Sequence, residues 1–309
     1  MEDLNVLSQH FPVVARIGSG FFHVIKILFD VLQSEIIVCW FASVYSAIAV
    51  IFGHWLGVKT VIIIGGADVS ADKEIGYGLW LSKWKSWLVK RALRKADSVL
   101  TVDQSLKDEA KQRAKYKGEN ISYLPTGYDA LYWKSAGEKK PIVLTVAYAN
   151  DSTRFKVKGI DFLIQAAQRM PLVEFIVVGV QPDFAYKYSP PLNMKFHPRI
   201  RHEDVLRYYQ EAKVYCQPSR KEGLCNALCE AMLCECYPVA TDVGGNPTAV
   251  GDSGILLPYG DVDALVESIT YALESKDDSP HKARARIVSL FPKEKREQEL
   301  VKLMNRLAQ

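Results

Sequence analysis

Glu222 and Glu230 stand in PSRKEGLCNALCEAML, residues 218–233, with seven residues between them. The first precedes a helix that opens near Asn226, and the second lies two turns into it on a face that can turn the same way. Ionised carboxylates only accept hydrogen bonds, and a pair so placed suits the vicinal hydroxyls of a sugar. The strand VYCQPS gives way to that helix through a short loop, so several free backbone N–H groups and the positive end of the helix dipole converge there. Phosphate is the natural occupant of such a turn.

The same stretch holds Cys216, Cys225, Cys229, Cys234 and Cys236, five of the six cysteines. No Cys-x-x-Cys pair and no histidine occurs in residues 216–245. Zinc-type ligand spacing is therefore absent, and the thiols read as small hydrophobes. Asp261 and Asp263 form an Asp-x-Asp, but Asp261 stands where a helix N-cap belongs. No metal is expected.

Strands and helices alternate on both sides of these residues. EIIVCW, KTVIIIG, SVLTVD and ISY are strand candidates with helical patterns near 44–56, 80–96 and 104–113 between them. LYWKSAGEKKP, residues 131–141, loses apolar periodicity and reads as a linker. A second series follows: PIVLTVAY, GIDFLIQAAQRM, EFIVVGV, MKFHPRI, EDVLRYYQEA, VYCQPS, NALCEAMLCE and PVATD. The expected fold class is α/β, with two doubly wound Rossmann-like domains facing a cleft. The domains are set at 1–137 and 138–292, with an amphipathic helix at 293–309 that packs either on its own domain or back on the first.

Length and composition agree with that division. At 309 residues, 49% hydrophobic and 24% charged, the chain is globular and not disordered. A net charge of +4 is too small and too dispersed to argue for nucleic acid. Cysteines without a disulfide frame, and acidic residues in MEDLNVLSQHF where a leader needs basic ones, point to a cytoplasmic protein. Residues 36–58 carry no Asp, Glu, Lys or Arg and reach the length of a membrane span. Their β-branched start, small-residue middle and Gly57 stop favour strand, helix and the approach to a second strand.

PSRKEGLCNALCEAMLCECYPVATDVGGNP resembles the donor-site signature of the family 4 (group 1) retaining glycosyltransferases of GT-B fold. The shared features are the spaced glutamates, Ala231-Met232, Pro238 to Thr241 and Gly244-Gly245. GDSGILLPYGDVDALVESI, PTGYD and KGIDFLIQAA are similar to further blocks of that family, and the likeness runs over most of residues 35–275. It implies transfer of a sugar from a nucleotide diphosphate sugar to a carbohydrate or lipid-linked hydroxyl, with no separate cofactor. It also implies roles. Glu222 would hold hydroxyls of the transferred sugar, and the amides of Gly223, Leu224, Cys225 and Asn226 would hold sugar and diphosphate. Glu230 would take the ribose, and Lys158 would stabilise the departing diphosphate. Gly244 and Gly245 would let backbone approach the phosphates, and the backbone of FHPRI would meet the base.

Departures from the pattern matter as much. Ala147 and Tyr148 stand where the family has Gly-Arg, and Arg154 or Lys156 is either the substitute phosphate ligand or a solvated loop charge. Thr248 replaces a glutamate. Gly65 and Gly66 stand where a histidine is usual, leaving Asp68 as either an acceptor ligand or a turn carboxylate. The first domain is short, with only ARIGSG as a glycine loop.

GLWLSKWKSWLVKRALRKA carries three tryptophans with Lys83, Lys85, Lys90, Arg91, Arg94 and Lys95, and no acid before Asp97. Over residues 80–95 it is either a helix that meets an anionic membrane, making the protein peripheral, or one whose Trp84, Trp87 and Leu88 pack on the sheet. Two functional classes follow: an active transferase, or a non-catalytic nucleotide-sugar-binding or scaffold component of a larger complex.

Overall fold

The computed structural model describes residues 2–309, which form two compact units, 2–127 with 293–309, and 128–292. In the first, α1 (Glu2–His10) and α2 (Phe21–Leu32) precede β1 (Ile36–Trp40), α3 (Val44–Leu56), β2 (Lys59–Ile64), α4 (Lys83–Lys95), β3 (Ser98–Thr101), α5 (Gln104–Ala114) and β4 (Ile121–Tyr123). The strands are parallel in the order β1-β2-β3-β4. Right-handed crossovers in that order set α3, α4 and α5 on one face of the sheet. β2 and β3 are buried on both faces, which is why they read as unbroken apolar runs. The uncharged run at 36–58 resolves into β1, a turn, and α3. Ser43 and Ser46 close α3 with a capping box, and Gly57 ends it at φ 74°. Among the described residues no helix is long and apolar enough to cross a membrane.

The second unit contains β5 (Lys140–Val146), α6 (Ser152–Val157), α7 (Ile160–Arg169), β6 (Glu174–Val178), α8 (Pro182–Ala185), β7 (Met194–His197), α9 (His202–Glu211), β8 (Ala212–Gln217), α10 (Asn226–Leu233), β9 (Tyr237–Thr241), α11 (Asn246–Val250), β10 (Ile255–Leu257), α12 (Val262–Glu274) and α13 (Ser279–Leu290). Its parallel sheet runs β10-β9-β8-β5-β6-β7, so the strand order reverses between β5 and β8. Both sheets match the expected α/β class. Phe155, Leu163, Phe175 and Tyr215 are fully buried in this unit. Asp261 caps α12, accepting from the Ala264 amide at 2.9 Å.

Two readings change. The segment 131–141 is not a linker: Trp133 is buried, with its ring centroid 5.7 Å from Tyr209 and 5.0 Å from His202. Lys139 Nζ donates to the carbonyls of Tyr209 and Cys234 at 2.6 and 2.7 Å. The second unit accordingly starts at Tyr128 and not at residue 138, because packing by one aromatic ring and one ammonium leaves no periodicity to read.

The closing helix, α14 (Lys293–Ala308), belongs to the first unit. Arg296 holds Asp3 through two bonds of 2.6 Å and donates to the Leu124 and Pro125 carbonyls at 2.8 Å. Arg296 and Asp3 are both 5% exposed. A planar guanidinium meets all these acceptors with its own fork of donors, so neither charge is buried without a partner.

Candidate functional site

Ligands of open parallel sheets sit outside the carboxyl ends of the strands, where the strand order reverses. In the second unit that point lies between β5 and β8. The segment after β5 supplies α6 and Lys158; the loop after β8 supplies Ser219 and Glu222. STRFKV, read as loop charges, is helical because Asp151 caps it, accepting from the Arg154 amide at 2.8 Å. Lys158 follows as its C-cap, one turn beyond Arg154.

Lys158 Nζ lies 2.6 Å from Glu222 Oε1. Gln217 Nε2 at 3.0 Å and Ser219 Oγ at 2.7 Å donate to the same oxygen. Gln217 is itself fixed by the Tyr215 hydroxyl, which donates to its Oε1 at 2.8 Å. The Glu222 side chain is 8% exposed and that of Lys158 is 28% exposed. A buried carboxylate is thus held by one cation and two neutral donors on one oxygen, while none of these three takes Oε2. Gln217 and Ser219 carried no signal in the sequence, since their role depends on facing Glu222 from the end of β8.

Two glycines make the meeting possible. At Gly159, φ 65°, a Cβ would stand 1.9 Å from the Pro218 carbonyl oxygen. At Gly244, φ 55°, it would stand 2.1 Å from the carbonyl oxygen of Glu222. Both φ values lie in the left-handed region, which glycine enters without steric penalty. Gly245 N–H donates to the Gly223 carbonyl at 2.9 Å, and Arg220 N–H to that of Val157 at 2.8 Å. The close approach made by the glycine pair is therefore to the 222–223 backbone.

Cys225 occupies the N-cap of α10 without a side-chain cap hydrogen bond, where a Ser, Thr or Asp would ordinarily take a first-turn amide. Leu224 and Cys225 are buried and Asn226 is exposed, its Oδ1 accepting from the Tyr128 hydroxyl at 2.8 Å. Glu230 is set apart from Glu222: His202 Nε2 lies 2.9 Å from its Oε1, and the Tyr209 hydroxyl donates to Oε2 at 3.1 Å. Burial, and then the Glu230 charge, hold the Tyr209 phenol well above its ordinary value, so it stays a donor. The His202 side chain is 70% exposed, whereas that of Glu230 is 6% exposed.

Arg154 is exposed, with Nε 3.6 Å from Asp151 Oδ2 and its guanidinium 5.4 Å from the ring centre of Tyr148. Arg199, in the segment after β7, approaches the same ring at 5.6 Å. Tyr148 thus gathers two cations at the end of β5. His197, at the end of β7, is pushed below its ordinary pKa by burial, then by Arg207 and Lys195.

The five cysteines of residues 216–245 are buried and free. Burial raises all their thiols, Cys225 to about 12. Among the described residues no cluster of three or more His, Cys, Asp or Glu could hold a metal ion.

In the first unit, Asp68 is buried and accepts from the amides of Ala42 (3.1 Å), Gly65 (3.2 Å) and Gly66 (2.7 Å). It ties the turn after β1 to the turn after β2, which is the turn-carboxylate alternative of its sequence reading. Burial pushes its carboxyl above the ordinary range, against the pull of these amides. Trp84 and Trp87 do not pack on the sheet. They are 59% and 53% exposed, while Val89, Ala92 and Leu93 form the buried face of α4.

Residues 140–275 match the family model described as glycosyl transferases group 1. The chain is 26% identical over 241 residues to the α-maltose-1-phosphate synthase of Mycolicibacterium smegmatis, covering 69% of this chain and 61% of that protein. It is 25% identical over 232 residues to one component of the human phosphatidylinositol N-acetylglucosaminyltransferase, covering 71% of this chain and 45% of that protein. It thus spans about half the length of the curated relatives it matches. Among solved structures, Anabaena HepE in complex with UDP and glucose superposes with a TM-score of 0.79 at 18% identity, over 98% of this chain and 88% of that one. Sucrose-phosphate synthase from Thermosynechococcus elongatus gives 0.77 at 20% identity, over 93% and 78%.

Proposed function

We propose that this chain, whose residues 140–275 match the group 1 glycosyl transferase model and whose fold is that of GT-B structures, moves a sugar from a nucleotide diphosphate sugar to a hydroxyl acceptor with retention of configuration. The Lys158–Glu222 contact of 2.6 Å carries this reading. Glu222 Oε2 accepts from hydroxyls of the transferred sugar. Lys158, Arg154 and the amides of Gly223 to Asn226 take the negative charge that grows on the diphosphate as the glycosidic bond breaks, and no metal is required. In this scheme the ribose hydroxyls displace His202 from Glu230, and Gly244-Gly245 keep the 222–223 loop in place. The acceptor is bound by the first unit, where Asp68 shapes the loop.

The acceptor class is a carbohydrate or a lipid-linked hydroxyl, the latter presented at an anionic membrane that residues 80–95 meet. A non-catalytic donor-binding or scaffold role is the second reading, favoured by Ala147-Tyr148 in place of the family's Gly-Arg and by the engagement of Asp68 with three amides. Turnover decides. UDP-, GDP- and ADP-sugars are offered with membrane extracts as acceptor, beginning with UDP-glucose because a structural neighbour binds it. Transfer that disappears in Glu222→Ala supports the enzyme; donor binding without transfer or hydrolysis supports the non-catalytic role.

A further inference from the structure

α2 is a twelve-residue helix, FFHVIKILFDVL, in which Val31 is the single buried residue. Phe21, Phe22, Ile25, Phe29 and Leu32 are 75, 79, 48, 56 and 62% exposed, and their spacing lays them along one helical stripe. A monomeric globular unit has no reason to leave such a stripe bare, and contiguous exposed apolar surface marks an interaction site.

α3 packs against both α2 and α4, and against β1 and β2 of the first sheet. Trp55 at the end of α3 is 73% exposed, and Trp84 and Trp87 of α4 are exposed as well. The charge of these helices is one-sided. α4 has no acid between Lys83 and Lys95, α3 has none, and the one acid of α2, Asp30, is 2.6 Å from Arg16. Lys85 and Arg91 lie over the rings of Trp84 and Trp87 at 5.7 and 4.2 Å, holding cations beside the aromatic surface. A second copy of the same face would set basic α4 against helices that offer no unpaired carboxylate, so charge selects against self-association.

We propose that the outer face of α2, α3 and α4 seats the protein on an anionic lipid surface, with the Phe and Ile side chains of α2 entering the acyl boundary. The Lys and Arg side chains of α4 then contact the headgroups. Aromatic and aliphatic residues beside Lys and Arg, lying in the plane of the interface, bind in proportion to buried apolar area plus attraction to anionic lipid. The inference extends the membrane part of the function proposed above, from residues 80–95 to a three-helix face whose apolar half is α2.

Flotation of the full chain with phosphatidylcholine vesicles, with and without about 30% phosphatidylglycerol, tests it. Binding to the anionic vesicles is expected, weakened by salt. Lys85→Glu with Arg91→Glu is expected to lower partitioning by roughly tenfold or more, since each cation near such a surface contributes about 1 kcal/mol. Phe22→Glu with Phe29→Glu is expected to abolish the part that survives high salt. Absence of flotation overturns the proposal, as does flotation that neither pair of changes reduces. Concentration-dependent dimerisation in light scattering that the α2 changes abolish, without vesicle binding, also overturns it and assigns the face to a second copy. UDP binding in calorimetry without vesicles reports separately on the donor reading, and neither pair of changes is expected to alter it.

Discussion

Lys158 and Glu222 meet at 2.6 Å because Gly159 and Gly244 remove the Cβ atoms that would keep their loops apart. One glycine adjoins the cation and rests on the Pro218 carbonyl. The other rests on the Glu222 carbonyl itself. The geometry of the candidate site is thus written in backbone approach as much as in charge.

Gly159→Ala and Gly244→Ala are therefore expected to do harm out of proportion to one methyl group. Each forces a side chain into the left-handed region, with its Cβ at 1.9 or 2.1 Å from a carbonyl oxygen. Strain of about 1–3 kcal/mol is typical there before the clash is counted. Urea midpoints check this; Gly260→Ala is the control, at positive φ with nothing within 4 Å. Equal losses at all three positions would show that φ alone matters and the loop contact does not.

Lys158→Met and Glu222→Gln separate binding from chemistry. If Lys158 stabilises charge that appears only as the bond breaks, its loss should lower kcat by roughly 10²–10³ and leave KM nearly unchanged. Glu222→Gln keeps an acceptor oxygen and loses the ion pair, so its donor KM should rise as well. A Lys158→Met enzyme whose whole defect lies in KM would move Lys158 from the transition state to ground-state binding.

The buried thiols should be inert while the chain is folded. Only thiolate alkylates readily, and burial raises Cys39 and Cys225 to about 12 and the other thiols in the same direction. Mass spectrometry after iodoacetamide at pH 8 should find little label in buffer and six labels in urea. Rapid native labelling of Cys225 would mean that the loop opening α10 is often displaced.

His197 gives the acid limb of the stability profile a specific source. Its folded pKa lies below the ordinary 6.5, through burial and then the charges of Arg207 and Lys195. Below that ordinary value the unfolded chain takes up a proton that the folded one refuses, so stability is fully present above it. It is lost as pH falls through the depressed folded value. His197→Gln should flatten the fall of the urea midpoint as pH drops below the ordinary 6.5. An unchanged slope would place the acid sensitivity elsewhere.

The order of strands and helices, the apolar runs of β2 and β3, the capping by Asp261 and the Glu222–Glu230 spacing were all legible in the sequence, because periodicity and caps are local physics. Glycine positions and the Lys-Gly pair were legible as well. Only tertiary structure decided what they touch. It placed Gln217 and Ser219 on Glu222, turned Glu230 toward His202 and Tyr209, engaged Asp68 with three amides and buried Trp133. It also left the stripe of α2 uncovered. Each of these depends on residues far apart in the chain meeting across strand ends or helix faces, and a hydrogen bond or a packed ring between them leaves no trace in local spacing.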